Sequence, residues 1–522
     1  MIGHQQSWIP ASSRQVRHLR GADIKGLPKA EDKAQQRSTR KATVIMAVIG
    51  FGFVLVLLLP FSELLTASPA FPSFWNHAPG KKHGNVDISH HWGQYSPFFS
   101  LAKVSEISPA VPKGCRVEFV QVLSRHGARY PTARKSEIYA ELVQRIKESA
   151  TEFKGDYAFL RDYEYRLGAD NLTRFGEEQM LESGRQFYKR YREQAREIVP
   201  FVRASGSARV IASAELFNRG FQDAKDRDPR SNKDQTGPVV NVVISEETGS
   251  NNTLDGLTCP AAENEPDPKQ PAEFLQVFGP RILKKITAHL PGVNLTLEDV
   301  PLFMDLCPFD TVAADPDRFP RQLSPFCNLF TPDEWMAYDY HYTLDKYYSH
   351  GGGSAFGATR GVGFVNELIA RMTGQLPVKD YTTVNHTLDD NPVMFPLGAV
   401  LYADFSHDNT MMGIYTAMGL YNGTKALSTS KIQAPTGAAA DGYAASWTVP
   451  FAARAYVELL QCGSGLEGEN KEKELFVRVL VNDRVVPLHG CRVDRFGRCR
   501  RDDWIEGLTF ARQGGHWDRC FE

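Results

Sequence analysis

The sequence predicts an α/β fold, because short apolar runs typical of buried strands alternate with longer segments of helical periodicity. The chain has 522 residues, of which 42% are hydrophobic, enough for a large core and for more than one folded unit. Two apolar runs, 117–123 and 398–405, end directly in polar loops that contain a histidine. Ligands of α/β proteins bind beyond the carboxyl ends of strands, so these loops are the first candidates for a functional site.

The other elements are assigned from their residue patterns. Apolar residues recur mostly every three or four positions between 136 and 200, which predicts helices. The segment 250–350 is interpreted as mixed helix and loop, and a helix is expected after the glycine-rich stretch that ends at Gly363. Four further short apolar runs are interpreted as strands, the last two forming a hairpin: 210–212, 239–244, 475–481 and 484–486.

The amino-terminal region predicts a membrane anchor. Residues 1–41 carry a net charge of +6 without apolar periodicity, and we interpret them as a disordered basic cytosolic tail that could instead bind acidic lipid headgroups. Residues 42–59 contain no charge and are long enough for a transmembrane signal-anchor. A cleaved signal peptide, with 66–70 as its cleavage region, is the alternative. The preceding basic residues place the amino terminus in the cytosol, and 60–91 would be a stalk.

The rest of the chain has the features of a lumenal or extracellular domain. Its net charge is −7, and no pair of its cysteines has the Cys-x-x-Cys spacing of zinc or redox sites. Eight cysteines, all beyond the span, indicate four disulfides: Cys115, Cys259, Cys307, Cys327, Cys462, Cys491, Cys499 and Cys520. Five N-glycosylation sequons lie on the same side: Asn171, Asn251, Asn294, Asn385 and Asn422.

The loop after the first strand has the composition of a phosphate site. Arg125, His126 and Arg129 surround Gly127, and arginine's planar guanidinium matches phosphate oxygens. Their positive charge favours the neutral form of His126, which is the form that can attack phosphorus. Gly127 would let the backbone turn sharply beside the phosphate.

The second loop, with His407 and Asp408, supplies the remaining chemistry. Phosphoryl transfer needs cations around the equatorial oxygens, an in-line nucleophile and a proton for the leaving oxygen. Arg125 and Arg129 provide the first, His126 the second and Asp408 the third, without a metal or cofactor. Asp408 must be protonated for this task, so we expect an acidic working pH.

The motif Arg-His-Gly-x-Arg-x-Pro with a downstream His-Asp resembles the histidine acid phosphatase family. Longer strings are similar to its fungal phytase branch and occur in the same order: 125–132, 167–170, 203–207, 366–371, 405–411 and 477–491. The resemblance extends over 92–522 and does not cover the tail or the span. Fungal phytases usually carry one more cysteine pair before Trp92, and they are commonly secreted without an anchor.

The resemblance implies a fold, a reaction and a role for each site residue. The fold would be a large α/β domain with a mixed central sheet and a smaller, mainly helical domain, inserted roughly within 136–350. His126 would become phosphorylated and Asp408 would protonate the leaving oxygen. Arg203 lies in the same matched stretch as Arg209, so the two could be confused. Four residues would hold the phosphate: Arg125, Arg129, Arg209 and His407.

The resemblance also implies the disulfide pairing and the substrate. The pairs would be Cys115–Cys462, Cys259–Cys520, Cys307–Cys327 and Cys491–Cys499. The expected substrate is inositol hexakisphosphate or another small phosphomonoester, the expected assembly is a monomer, and no nucleic-acid partner is expected. Arg134, Lys135 and Lys154 are candidates for extra cations in the pocket, although ordinary surface charge explains them equally well.

Three alternatives remain open. The chain could be a broad-specificity acid phosphatase of the same family. It could be a metal-dependent phosphohydrolase, although the sequence shows no matching ligand set at helical spacing. It could also be a cell-surface glycoprotein that keeps the fold without the activity, but such a protein would have a substituted catalytic position, and none is substituted here.

Overall fold

The computed structural model describes most of the chain beyond residue 85. The described residues are 86–256, 258–314, 322–376, 380–437, 440–463 and 474–522. The basic tail 1–41, the span 42–59 and the stalk up to residue 85 lie outside them, so these assignments stay predictions. Within the described residues, no helix is both long enough and apolar enough to cross a membrane.

A mixed sheet forms the centre of the fold. Its strands are β1 Cys115–Arg125, β2 Phe201–Ser205, β3 Val240–Ile244, β4 Leu401–Ser406, β5 Arg454–Cys462, β6 Glu474–Val481, β7 Arg484–Val486 and β8 Cys499–Arg500. The order is β3-β2-β4-β1-β5-β6-β7, and β8 pairs with β6. The pairs among β1 to β4 are parallel, whereas the pairs that β5 makes with β1 and β6 are antiparallel. The predicted α/β class with a mixed sheet is therefore confirmed.

The central position of β1 follows from its residue pattern. Side chains alternate between the faces of a strand, and both faces of β1 are covered. Val120 and Val122 belong to one apolar cluster, while Phe119 and Leu123 belong to another on the opposite face. The parallel register pairs Arg125 with Ser406, so β1 and β4 end side by side. Their two histidine loops therefore begin at the same edge of the sheet.

Helices cover both faces of the sheet. They are α1 Ala133–Ser149, α2 Arg174–Arg190, α3 Arg192–Ala195, α4 Ala208–Arg227, α5 Pro260–Glu263, α6 Lys269–His289, α7 Asp299–Ala313, α8 Pro332–His350, α9 Val362–Thr373, α10 His386–Asp389, α11 Asp408–Ala417, α12 Ala445–Thr448, α13 Arg501–Gly507 and α14 Thr509–Arg512. Phe187 of α2 and Phe217 of α4 pack in the cluster with Val120 and Val122. Met411 of α11 packs in the opposite cluster.

One strand prediction is wrong. Residues 210–212 lie inside α4, and the strand in this region is β2. Val210 and Ala214 are buried one helical turn apart, so the apolar run belongs to the inner face of a helix. The strand itself contains Arg203, whose charge disguises it in the sequence. The other predicted strands and the helix after Gly363 are present.

The segment between β3 and β4 is mainly helical. The hydroxyls of Tyr139, Tyr338 and Tyr342 all donate hydrogen bonds to the Asp305 carboxylate, which joins α1 and α8 to α7. A 3-10 helix at Ile88–His91 also packs on α8. The sequence prediction placed the start of the folded region at Trp92. The packing of this 3-10 helix shows that it begins a few residues earlier.

Four disulfides join the described cysteines, with the pairing that the resemblance implies. They are Cys115–Cys462, Cys259–Cys520, Cys307–Cys327 and Cys491–Cys499. The first links the start of β1 to the end of its antiparallel neighbour β5, so it closes the end of the sheet opposite to the histidine loops.

Candidate active site

The structure brings the two histidine loops together at the ends of β1 and β4. The backbone N–H of His126 donates to the carbonyl oxygen of Ser406 at 3.2 Å. The ring centroids of His126 and His407 are 5.7 Å apart. The Arg125 guanidinium Nη2 lies 3.3 Å from Oδ2 of Asp408. Residues separated by some 280 positions in the sequence thus form one pocket.

His126 is held as a neutral imidazole with a defined tautomer. Its Nδ1 lies 2.8 Å from the carbonyl oxygen of Gly127, which can only accept, so Nδ1 carries the proton. Burial lowers the pKa of His126 well below its usual value, and the charges of Arg125 and Arg129 lower it further. The sequence argument named only the arginines, but burial is the larger cause. Nε2 therefore keeps its lone pair, as a nucleophile requires.

Three arginines surround His126 and keep unbonded donors. Arg125 is fully buried, with Nη1 donating to the carbonyl oxygens of Gln94 at 2.5 Å and Val449 at 2.7 Å. Its Nε and Nη2 make no hydrogen bond to the described residues, and neither does Nε of Arg129 or Arg209. Buried donors without acceptors are costly in a folded protein. A phosphate group, with several negatively charged oxygens, supplies the acceptors that these groups lack.

The arginine charges repel one another. Burial lowers the pKa of Arg125 to about 10, and Arg129 and Arg209 also lower it. Burial lowers the pKa of Arg209 as well, with Arg129 the next cause. Both groups remain charged at any acidic or neutral pH. An anion placed among them removes this repulsion, which favours its binding.

Three consecutive backbone N–H groups of the first loop, from His126 to Ala128, are bonded to protein groups. The N–H of Gly127 donates to the Ser213 hydroxyl at 3.1 Å, and the N–H of Ala128 donates to Oε1 of Gln179 at 2.9 Å. The N–H of His126 is also bonded, as described above. A phosphate here is therefore bound by side chains, unlike the backbone-lined phosphate loops of nucleotide-binding proteins.

Gly127 is required for packing, and this corrects the reason expected from the sequence. Its φ is not positive, but a Cβ at this position would lie 2.4 Å from the carbonyl oxygen of Gly176. A Cβ on Gly176 would in turn lie 1.9 Å from the carbonyl oxygen of Ala128. The two glycines allow the first turn of α2 to contact the loop directly, which fixes the loop beside the pocket.

Arg203 and Arg209, which the sequence could confuse, have clearly different surroundings in the structure. Arg203 is buried inside the sheet, where Nη2 donates to Glu367 at 2.6 Å and to Asp404 at 2.9 Å. Those carboxylates outweigh the effect of burial and raise the pKa of Arg203 well above its usual value. Arg209 lies in the first turn of α4 beside Arg129, with Nη1 4.0 Å from Asp170. Of the two, only Arg209 is placed near His126.

His407 and Asp408 each have a partner that the sequence argument did not name. Nε2 of His407 lies 2.9 Å from Oε1 of Glu246, the second residue after β3. Burial opposes ionisation of Glu246, but the hydrogen bonds it accepts, first from His407, lower its pKa to about 2. Nζ of Lys346, on α8, lies 2.9 Å from Oδ2 of Asp408. Glu246 is therefore ionised throughout the working range, and Asp408 is held between two cations.

The surroundings of Asp408 favour its ionised form. Burial opposes its ionisation, but Arg125 and Lys346 outweigh it and hold the pKa of Asp408 well below the usual range. The general-acid role predicted for Asp408 needs a proton, so that role requires this pKa to rise when substrate binds. A phosphate group can do so, because its negative charge lies beside the carboxylate and competes for the Arg125 guanidinium.

Comparison with known proteins assigns the chain to a family. Residues 116–482 match the model of the histidine phosphatase superfamily, branch 2. The chain belongs to this superfamily branch. The matched residues include both histidine loops and the central sheet except for the first residue of β1 and the strands β7 and β8.

Curated relatives and solved structures agree with that assignment. Phytase A of Emericella nidulans is 53% identical over 474 residues, covering 90% of this chain and 99% of the relative. Phytase A of Aspergillus awamori is 54% identical, covering 83% and 91%. The crystal structure of the D. castellii phytase has a TM-score of 0.60 at 23% identity, covering 83% of this chain and 88% of that one, and shows the same fold. This histidine phosphatase is a phosphoric monoester hydrolase.

The three further cations predicted from the sequence, Arg134, Lys135 and Lys154, lie in different parts of the structure. Lys135 lies near Tyr95 and 3.8 Å from Asp305. Arg134 is exposed at the start of α1, whereas Lys154 pairs with Glu152 beyond the other end of that helix. Because α1 has 17 residues, its two ends are about 25 Å apart. Lys154 therefore does not belong to the pocket.

Proposed function

We propose that this histidine phosphatase hydrolyses inositol hexakisphosphate at acidic pH through a phosphohistidine intermediate and releases orthophosphate. The observation that carries the proposal is His126, which presents a neutral Nε2 among three arginines whose buried donors include some that make no hydrogen bond to the described residues. Phosphoryl transfer depends mainly on positioning and on cations around the transferred group. This pocket offers both with side chains alone.

In the first step, Nε2 of His126 attacks phosphorus in line with the ester oxygen. The P–N bond forms, the P–O bond to the inositol breaks, and the leaving oxygen takes a proton from Asp408. Arg125, Arg129 and Arg209 hold the equatorial oxygens, and His407, oriented by Glu246, lies beside them. The charge spread over these oxygens in the transition state explains why several fixed cations are needed.

In the second step, a water molecule replaces the alcohol. The Asp408 carboxylate, left after the first proton transfer, takes a proton from the water as its oxygen attacks phosphorus. The P–N bond breaks, orthophosphate leaves, and His126 returns to its neutral form. Asp408 thus acts first as an acid and then as a base, and each cycle restores its proton.

Additional cations support a substrate with several phosphates. Burial and Asp305 raise the pKa of Tyr95, while Lys135, Arg129 and Lys346 lower it, so three cations lie around one hydroxyl. Lys346 is only 6% exposed. Such a group of charges attracts a polyanion even within a domain of negative net charge. The relatives described above are named phytases, which favours the same substrate for this chain.

The decisive experiment compares two substrates at acidic pH. We expect kcat/KM for inositol hexakisphosphate to exceed that for an aryl phosphate such as 4-nitrophenyl phosphate. A Lys346→Met variant should lose more activity on the inositol phosphate than on the aryl ester. A preference of the unmodified enzyme for the aryl ester would support a broad-specificity acid phosphatase instead.

We also propose that the catalytic domain lies on the lumenal or extracellular side of a membrane, anchored by 42–59 or released from it. The four disulfides support an oxidising compartment, because such bonds are rare in the cytosol. Alkaline carbonate extraction of cells separates the two forms. Activity in the membrane pellet indicates the anchor, and activity in the medium indicates cleavage.

A further inference from the structure

The sequon at Asn171 lies on a loop that runs alongside the phosphate-binding loop. The two loops are joined by backbone contacts along their length. These are the hydrogen bonds from Tyr130 N to Asn171 O at 3.0 Å, Asp170 N to Pro131 O at 2.8 Å and Thr173 N to Ala128 O at 3.0 Å, together with the bridge between Arg129 and Leu172. Asn171 is therefore a direct neighbour of the arginine loop.

Its chain neighbours are tied to the pocket as well. Oδ2 of Asp170 accepts a hydrogen bond from the N–H of Ala133 at 3.2 Å, and Oδ1 lies 4.0 Å from Nη1 of Arg209. Leu172, on the other side, is the residue bridged to Arg129. Asn171 thus lies between a residue facing Arg209 and a residue paired with Arg129, on the rim of the pocket.

The side chain of Asn171 is available to solvent. Asn171 is exposed, and no hydrogen bond to its amide group is found among the described residues. Thr173, the third residue of the sequon, is buried and caps α2 by accepting the N–H of Gly176 at 3.1 Å. By contrast, the Asn385 side chain donates to the Asn251 carbonyl and accepts from the N–H of Leu388.

We propose that Asn171 carries an N-linked glycan, and that this glycan restricts the enzyme to small phosphate esters. The donor is an oligosaccharide linked to a polyprenyl diphosphate in the secretory pathway. The Asn171 amide nitrogen attacks the anomeric carbon, a C–N bond forms, the polyprenyl diphosphate leaves, and the amide loses one proton. The glycan's effect on turnover rests on the proposed function, whereas its presence does not.

The effect on substrate size follows from the depth of the site. His126 is 1% exposed and the Asp408 side chain 15% exposed, so a reacting phosphate must enter below the rim. A phosphorylated serine in a protein has a short side chain, and its polypeptide must come close to the rim. A bulky, hydrated glycan at Asn171 obstructs that approach. A free inositol phosphate or an aryl phosphate is not attached to a polypeptide, so the glycan does not obstruct its entry.

The first test measures occupancy without any activity assay. The full chain is produced through a eukaryotic secretory pathway and treated with peptide N-glycosidase, which converts a glycosylated asparagine to aspartate. We expect peptides containing residue 171 to show this conversion by mass spectrometry. Peptides that retain asparagine at 171 would overturn the proposal.

The second test measures selectivity in Asn171→Gln, with Asn294→Gln as the matched control. Asn294 is an exposed sequon near Gly292, which contacts Ser149 at the end of α1 remote from the pocket. We expect Asn171→Gln to raise kcat/KM for a phosphorylated protein about tenfold, equivalent to ~1.4 kcal/mol of activation free energy. The value for 4-nitrophenyl phosphate should change less than about twofold in both variants.

Asn171→Ser, which also removes the sequon, should repeat the effect and so exclude an influence of glutamine itself. An unchanged ratio in Asn171→Gln, or an equal rise in Asn294→Gln, would contradict the proposal. Failure of the proposed phosphatase function would appear differently, as an inactive unmodified enzyme on every phosphate ester while the occupancy result stands.

Discussion

Two groups of arginines in the central fold differ in how their donors are used. Around Glu458 on β5, Arg478 donates through Nε and Nη2 to one carboxylate oxygen, and Arg190 and Tyr191 donate to the other. The remaining nitrogen of Arg478 donates to backbone carbonyls at 108 and 110. Around His126, by contrast, three arginines keep buried donors that make no hydrogen bond to the described residues.

The difference separates structural charge from functional charge. In the Glu458 cluster, the carboxylate and the carbonyls satisfy the donors of Arg478, so this charge is paired within the fold and has nothing left for a ligand. In the arginine pocket, the positive charge exceeds what Asp408 and Glu246 neutralise, and the excess is available to an anion. Arg371, which pairs with Asp404 inside the sheet, also has two buried donors without a hydrogen bond among the described residues, so unbonded donors alone do not mark a site. The binding site is indicated by the convergence of three mutually repelling arginines with such donors around His126.

Two substitutions, one in each arginine group, test this comparison, and their expected effects are the largest. Arg129→Ala should lower kcat/KM by about 10²- to 10³-fold, because it removes a cation that stabilises the transition state. It should change stability little, since Arg129 repels Arg125 in the resting site. Arg478→Ala should cost about 3 to 5 kcal/mol of unfolding free energy, because it leaves Glu458 with only part of its compensation.

Urea unfolding and steady-state kinetics on both variants provide the measurement. Equal losses of unfolding free energy in Arg129→Ala and Arg478→Ala would contradict the distinction between the two arginine groups. A loss of activity in folded Arg478→Ala as severe as that in Arg129→Ala would also contradict it.

Asp408→Asn should have the next largest effect, and one that depends on the leaving group. Asparagine cannot give a proton to a departing oxygen, so hydrolysis of an alkyl phosphate should fall by about 10²- to 10⁴-fold. An ester of 4-nitrophenol leaves without that help and should lose much less in its first step. Burst kinetics with both esters measure this step. Equal losses of rate for the two esters would contradict the assignment of Asp408 as the general acid.

Glu246→Gln should show a pH-dependent effect on stability. The pKa of Glu246 is about 2 in the fold against an ordinary 4.5, so its ionised form is favoured by folding. That contribution is fully present above the ordinary value and is lost as pH falls through the folded one. The stability difference between the native protein and Glu246→Gln should therefore shrink as pH falls below the ordinary value, by at most ~3 kcal/mol.

Thermal unfolding of both proteins across the acidic range measures the trend. Glu273→Gln is a suitable control, because Glu273 is exposed and, within the described part of the chain, its ion pair is with Lys269 on the surface of α6. A difference between native protein and Glu246→Gln that stays constant with pH would contradict the assigned ion pair.

Chelation should have the smallest effect. The comparison assigns the positive charge of the pocket to arginine and lysine side chains, so activity should persist within about twofold in EDTA. A metal-dependent phosphohydrolase would lose its activity, and a divalent cation would restore it. Assays before and after dialysis against the chelator distinguish the two.

The sequence predicted the core of the site because that core is local. Arg125 to Arg129 and His407 to Asp408 follow apolar runs directly, and parallel neighbouring strands bring such loops together. The same rule applied to 239–244 would have found Glu246, which follows β3 by two residues. The sequence prediction missed Glu246 because it considered only the strand ends that are followed by a histidine.

The remaining features depend on packing between distant segments. Lys346 reaches Asp408 from near the carboxyl-terminal end of α8, and nothing in its own neighbourhood indicates that contact. The missed strand β2 carries Arg203, which is compatible with a buried strand only because Asp404 and Glu367 neutralise it. Those partners come from β4 and α9, far along the chain, so the charge alone argued against a strand.

The central claim is that His126 is the phosphorylated nucleophile. It is tested by mixing the Asp408→Asn variant with 4-nitrophenyl phosphate, quenching in alkali, where phosphohistidine is stable, and mapping the phosphate by mass spectrometry. We predict a phosphoryl group on Nε2 of His126, and none in a protein that also carries His126→Ala. Phosphate on another residue, or activity that survives His126→Ala alone, would contradict the account.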